Sequence, residues 1–321
     1  SANYVIDGVD PSVSSITFTD TTLIEGETSL VTIVFSEAIT GFANADLTIP
    51  NGAMSNVADG GDAITWTSTY TPTAEVSDTS NVVVIANTYT DTLLNTGTAC
   101  TSANFIIDGV DPLINSISMD DTALKAGDTA TLTIVFSEAV DAFANADITV
   151  QNGAITTVAT NDDITWTATF TPSEDTEDAV NVISVATSYT DAYGNGVGES
   201  QATANYEVET QAPSVSSITF ADTTLITGET SLVTIVFDEA VAAFTNADLT
   251  IVSGTMTNVA DSGDATTWTS TYTPTAEVSD ATNVLTIGTG YTDTAGNAGA
   301  AGTSANYVID GVDPSVSSIT F

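Results

Sequence analysis

Apolar and hydroxyl-bearing side chains alternate along most of this chain. Between Leu30 and Phe35, the residues Val31, Ile33 and Phe35 fall on one side of an extended backbone and Leu30, Thr32 and Val34 on the other. The stretch Thr65-Trp66-Thr67-Ser68-Thr69-Tyr70 alternates in the same way. A period of two in runs rich in β-branched and aromatic residues is the signature of strands. No segment carries a sustained apolar stripe at helical spacing. In the first hundred residues the pattern predicts seven strands, at about 13–18, 29–36, 44–49, 53–57, 63–71, 81–88 and 101–107, parted by turns rich in Gly, Asn, Asp and Pro.

The pattern then repeats. Pro11, Pro112, Pro213 and Pro314 are spaced by 101 residues. Within each period VFSEAITGFANADLTI (from Val34), VFSEAVDAFANADITV (from Val135) and VFDEAVAAFTNADLTI (from Val236) correspond, as do Trp66, Trp166 and Trp268. Each unit closes on YTDTLLN, YTDAYGN or YTDTAGN; the second lacks one residue near Asn161 and regains one after Asn195. Residues 1–18 are identical to residues 304–321, which predicts a stretch of a longer array. The expected division is 1–10, the last strand of a preceding repeat and its linker; 11–111, 112–212 and 213–313, three repeats; and 314–321, the first strand of a following one. Self-similarity at a fixed period marks a repeat architecture. Seven short strands in about 100 residues with one Trp predict an all-β array of tandem immunoglobulin-like β-sandwiches, with Trp66 expected in the core; a barrel is the alternative.

Composition narrows the chemistry. The chain has 42 Asp and Glu, a single Lys, no Arg and no His, for a net charge of −41. Nucleic-acid binding lacks the clustered cations that displace counterions from phosphates. Triads and histidine bases have no imidazole, and one cysteine, Cys100, builds neither a thiolate metal site nor a disulfide. No run approaches 18 apolar residues, so no membrane insertion through a helix is expected. Lys125 aligns with Ile24 and Ile226, which excludes a lysine cross-link repeated in every unit. Carboxylate chemistry and oxygen-ligated metals remain.

Alternate loops of such a sandwich lie at opposite ends, which brings acids distant in sequence together. In unit 1 the incoming linker (Asp7, Asp10), the loop at Glu37, the loop at Asp59 and Asp62, and the loop at Asp91 and Asn95 share one end. The second unit repeats the group with Asp108, Asp111, Glu138, Asp162, Asp163, Asp191 and Asn195. The third offers Glu209, Asp238, Glu239, Asp261, Asp264, Asp293 and Asn297. Two converging carboxylates repel by about 4 kcal/mol per close pair at an effective dielectric near 20, so they splay into solvent or hold a cation. Six to eight oxygens from Asp, Glu, Asn and carbonyls are the ligand set of calcium. The expected metal ligands are Asp7, Asp10, Glu37, Asp91, Asn95, Asp108, Asp111, Glu138, Asp191, Asn195, Glu209, Glu239, Asp293 and Asn297. The competing expectation is a solvated acidic surface.

The strings VFSEAVDAFANADITV, TWTATFTP and YTDAYGN resemble the tandem bacterial Ig-like repeats of giant extracellular adhesins and related surface proteins, across all three units. The resemblance implies the sandwich fold, an extracellular, cell-surface or secreted location, a spacer role without catalysis, and calcium bound near the linkers. Partners are then the neighbouring repeats of the same chain. Glu207-Val208-Glu209-Thr210-Gln211-Ala212 departs from the Ile-Asp-Gly-Val-Asp pattern before Pro213, and the third unit is expected to have the most flexible joint or the weakest site. A second reading makes the chain the subunit of a filament or sheath of identical chains, with 1–7 adding as a strand to a neighbour. A third makes it a glycan- or protein-binding module.

Overall fold

The computed structural model describes residues 6–321. Thirteen short strands build the first repeat: β1 (Val13–Phe18), β2 (Thr22–Ile24), β3 (Ser29–Phe35), β4 (Ile39–Thr40), β5 (Leu47–Thr48), β6 (Gly52–Met54), β7 (Ala58–Asp59), β8 (Thr65–Pro72), β9 (Ser77–Asn81), β10 (Val84–Ile85), β11 (Thr90–Asp91), β12 (Cys100–Thr101) and β13 (Phe105–Asp108). One sheet runs β1-β3-β8-β6, with β7 also on β8. The opposing layer is made of three patches, β5-β10-β12, β4-β11 and β2-β13-β9. The chain leaves the first sheet after β1 and crosses to the second as β2, which pairs parallel to β13. Both layers keep open edges, so this is a sandwich and not a barrel. The same pairings recur in the second and third repeats, and ladders close within residues 13–108, 114–209 and 215–310.

Alternation places the core. Along β3 the buried positions are Ser29, Val31, Ile33 and Phe35, while Leu30 is 45% exposed. Phe35 packs edge-on to Tyr89 at 4.9 Å and to Phe42 at 5.1 Å, and Tyr70 to Phe105 at 5.1 Å. Trp66 does not fill this centre as expected. It stands half-buried at the rim, 5.5 Å from Phe42, with its indole N–H donated to the Ala63 carbonyl at 3.3 Å. Fully buried Tyr70 and Tyr89 take the central space instead.

The expected strand at 44–49 begins as a 3-10 turn, Asn44–Asp46. Asp46 Oδ2 accepts the Ala43 N–H at 2.8 Å, and Asn44 Oδ1 accepts the Val57 N–H at 2.8 Å. Such side chains compete with the ladder for backbone donors. Of the expected strand at 81–88 only β10, Val84–Ile85, forms within that range; Asn81 instead ends β9, where its amide turns onto the Asp78 carbonyl at 2.7 Å. Residues 316–321 repeat the sequence of β1 but form no strand. Of the expected strand at 1–7, residues 1–5 lie outside the described residues, and Ile6 and Asp7 are in no strand.

Candidate metal centre at the incoming linkers

The incoming linker, the Glu37 loop and the loop after β11 meet at one end of the first repeat. Ser36 ties the first two together: its N–H reaches the Ser12 carbonyl at 2.8 Å and its hydroxyl accepts the Ser12 N–H at 3.0 Å. The loop after β11 is shaped by Asp91, which is 1% exposed. Its Oδ1 accepts the N–H groups of Leu93 and Asn95, both at 2.8 Å, and its Oδ2 accepts Asn95 Nδ2 at 2.7 Å. YTDTLLN is therefore a self-closing turn that fixes one carboxylate. Beside it, Asp7, Glu37 and Asp91 each offer an oxygen, all within 4.8 Å of one another.

The second repeat builds the same group from Asp108, Glu138 and Asp191. Asp191 is held by Tyr193, Gly194 and Asn195 N–H groups at 2.7–2.9 Å and by Asn195 Nδ2 at 2.7 Å. Here the donor of the first acid is explicit. Asp108 is the last residue of β13, a strand of the first repeat, where it pairs with Ser77 and Ile24. The cluster therefore joins one repeat to the next.

The electrostatics show the strain of that convergence. Burial, then the charges of Asp7, Asp91 and Asp10, push the Glu37 carboxyl above its usual value. Glu138 is raised in the same way by burial and by Asp108, Asp191 and Asp111. Burial pushes Asp91 up too, but the hydrogen bonds from Asn95, Leu93 and Leu94 outweigh it and hold the carboxyl below the usual range.

At the third repeat the arrangement differs. Glu209 stands where Asp7 and Asp108 do, and Ala212 where Asp10 and Asp111 do. Asn297 Nδ2 donates to Asp293 Oδ2 at 2.7 Å, to Glu209 Oε2 at 2.6 Å and to the Glu209 carbonyl at 2.9 Å. Burial, together with a hydrogen bond to Asp293 and its charge, pushes Glu209 up to about 7. Glu239 is raised by burial, Asp293, Asp238 and Glu177.

Of the expected ligands, then, Asp7, Glu37 and Asp91 converge, as do Asp108, Glu138 and Asp191. Asp10 and Asp111 are exposed and outside both three-oxygen groups, though Glu37 and Glu138 sense their charge. Asn95, Asn195 and Asn297 direct their amide N–H groups at the neighbouring Asp. The acids of the hairpin before β8 cap their own turn: Asp62 Oδ1 accepts Ile64 and Thr65 N–H at 2.9 and 2.7 Å. The spacing Asp-x-x-x-Asn was the signal that could have revealed the Asn role, since an acid four residues before an amide closes a turn.

The sequence profile of the bacterial Ig-like domain matches residues 7–107, 108–208 and 209–309. The chain belongs to the bacterial Ig-like domain family. Each match of that family starts at the acid of the incoming linker, Asp7, Asp108 or Glu209, and the last two are the final residues of the strands Phe105–Asp108 and Tyr206–Glu209. Bacterial Ig-like domains are typically non-catalytic and typical of extracellular and surface proteins of bacteria. Among solved structures, the chain is similar to a marsupial T cell receptor at 11% identity and a TM-score of 0.32, covering 85% of this chain and 95% of that one. It is also similar to the full extracellular region of plexin A4, domains 1 to 10, at 11% identity and a TM-score of 0.21, covering 86% of this chain and 22% of that one. No curated protein matches the chain. Among the described residues, no helix of this bacterial Ig-like array is long and apolar enough to cross a membrane.

Proposed function

We propose that the chain is a non-catalytic stalk segment of a large bacterial surface adhesin, and that calcium bound at the domain junctions stiffens it. The observation that carries this reading is the position of Asp108. The last strand of one domain ends in a buried carboxylate that meets Glu138 and Asp191 of the next. A divalent ion held there ties both domains together, and its removal restores carboxylate repulsion at the joint. The donor chemistry fits: hard oxygens converge with no cationic side chain in the group. Glu37 and Glu138 add half-buried carboxylates from a second loop, while Asp91 and Asp191 are fixed by their own turns. Pro11, Pro112 and Pro213 further limit the linkers. Repetition suits a spacer, whose output is length.

Thermal unfolding in EDTA, then with calcium, then with magnesium at matched ionic strength, tests the reading. A calcium-specific rise in Tm supports it, by the linkage of ligand binding to the folded state. Equal response to both ions, or to sodium alone, reduces the carboxylates to an acidic coat.

A further inference from the structure

Lys125 is the only cationic side chain in 321 residues, and it lies at the second domain junction. It begins a tight turn after the strand Ala123–Leu124: Asp128 N–H reaches the Lys125 carbonyl at 3.1 Å, and Lys125 N–H reaches Asp128 Oδ2 at 3.2 Å. That turn projects from domain 2 onto the loop of domain 3 that carries Asp293 and Asn297. The Ala126 N–H donates to Asn297 Oδ1 at 2.8 Å. The Lys125 ammonium lies 3.3 Å from the point that a Cβ on Gly296 would occupy, and Gly296 has φ +99°. A shallow cleft between the two domains is lined by Ala123, Lys125, Glu207, Glu209, Thr294 and Ala295.

We infer that this second junction is metal-independent, with the Lys125–Ala126 turn of domain 2 clamping the Asp293–Asn297 loop of domain 3 in place of an ion. The inference rests on the calcium reading of the first junction and sets its limit. Three features support it. The donor set is reduced, because Ala212 replaces the second linker acid and, among the described residues, the three-oxygen group occurs at Asp7 and at Asp108 but not at Glu209. Asn297 is already committed on both sides of its amide, with Oδ1 taken by Ala126 and Nδ2 by Glu209 and Asp293. The chain's one cationic side chain stands over the Asp293–Asn297 loop here, 3.3 Å from the Cβ position of Gly296, where the first junction has Ile24. At the first junction, among the described residues, the corresponding Glu25 N–H makes no bond to Asn195. The linker adds its own tether: Thr210 Oγ1 donates to the Ser173 carbonyl at 2.7 Å and accepts the Thr176 N–H at 3.0 Å.

The test places pairs of spin labels across each junction of the full chain, in a Cys100→Ser background, and reads distance distributions by pulsed dipolar spectroscopy. In EDTA the domain 2–3 distribution is expected to be narrow and unchanged by calcium, while the domain 1–2 distribution is broad and narrows. Lys125→Ile, which installs the residue both sister domains carry and so folds, is expected to broaden the 2–3 distribution in EDTA. In calcium titrations, Glu138→Gln is expected to remove one bound equivalent and Glu239→Gln none. A 2–3 distribution that narrows with calcium, an equivalent lost on Glu239→Gln, or no effect of Lys125→Ile in EDTA would each overturn the inference. If Glu138→Gln also removes none, the calcium reading fails on its own, and the Lys125→Ile comparison in EDTA still decides whether the turn is a clamp.

Discussion

Domain 3 carries a defect that a single substitution should repair. In domain 1, Asn51 Nδ2 donates to Asp78 Oδ2 at 2.8 Å and to Asn81 Oδ1 at 2.9 Å. In domain 2, Asn152 does the same to Asp178 at 2.8 Å and to Asn181 at 2.6 Å. Domain 3 has Ser253 there, and the Oδ1 of fully buried Asn283 is left without a partner. The backbone of Ser253 has φ +56°, close to the +43° and +47° of Asn51 and Asn152, a left-handed region in which Asn is enriched. Ser253→Asn therefore needs no backbone change and supplies two hydrogen bonds. An unsatisfied buried acceptor costs roughly 1–3 kcal/mol and a net hydrogen bond contributes about 1 kcal/mol. Immobilising the longer side chain costs part of that, so the expected gain is about 1–2 kcal/mol. For a domain of about 100 residues, each kcal/mol moves Tm by about 4–8 °C. Each domain has one Trp, so Trp66→Phe with Trp166→Phe leaves Trp268 as the reporter of domain 3 in urea or heat. A midpoint that stays put or falls in Ser253→Asn refutes the reasoning, as does an Asn51→Ser variant that leaves domain 1 unaffected.

Tyr89 and Tyr291 donate to the carbonyls of Thr98 at 2.8 Å and Ala300 at 2.5 Å, whereas buried Tyr189 has no partner; Val197 occupies the place of Gly97, whose hydrogen faces the Tyr89 ring. Phe at 89 or 291 should cost about 1 kcal/mol, and Tyr189→Phe should be neutral or stabilising, read by domain-resolved hydrogen exchange. Glu209 ionises higher in the folded state than its ordinary 4.5, at about 7. The folded form thus holds a proton that the unfolded form has lost, so calcium-free stability of the second junction is full below pH 4.5 and declines as pH rises to about 7; Glu209→Gln should flatten the profile. Asp62 and Asp264 are held below the usual range by backbone N–H groups. Their contribution is present above the ordinary 3.8 and lost as pH falls through the lower folded value, so Asp62→Asn should lessen the acid lability of domain 1.

The sequence exposed what depends on alternation and repetition. β1, β3 and β8 lie within a residue or two of the expected 13–18, 29–36 and 63–71, because long β-branched runs bury every second side chain. The convergence of Asp7, Glu37 and Asp91 was legible from loop order alone. Contacts specified by a single side chain were not. The 3-10 turn at Asn44 depends on its amide reaching Val57, and the rim position of Trp66 on a carbonyl three residues away. The second junction was visible only as a departure, Glu209 and Ala212 in place of two Asp. That Lys125 would meet Gly296, in the following domain, cannot be read from a residue whose sister positions are Ile.

Small-angle scattering of the full chain, in EDTA and then in millimolar calcium at fixed ionic strength, tests the central claim most directly. The account predicts a particle that becomes longer and narrower in its distribution of shapes with calcium but not with magnesium, as the joint at Asp108, Glu138 and Asp191 locks. A maximum dimension and radius of gyration indifferent to calcium, with the domains still folded, would contradict it.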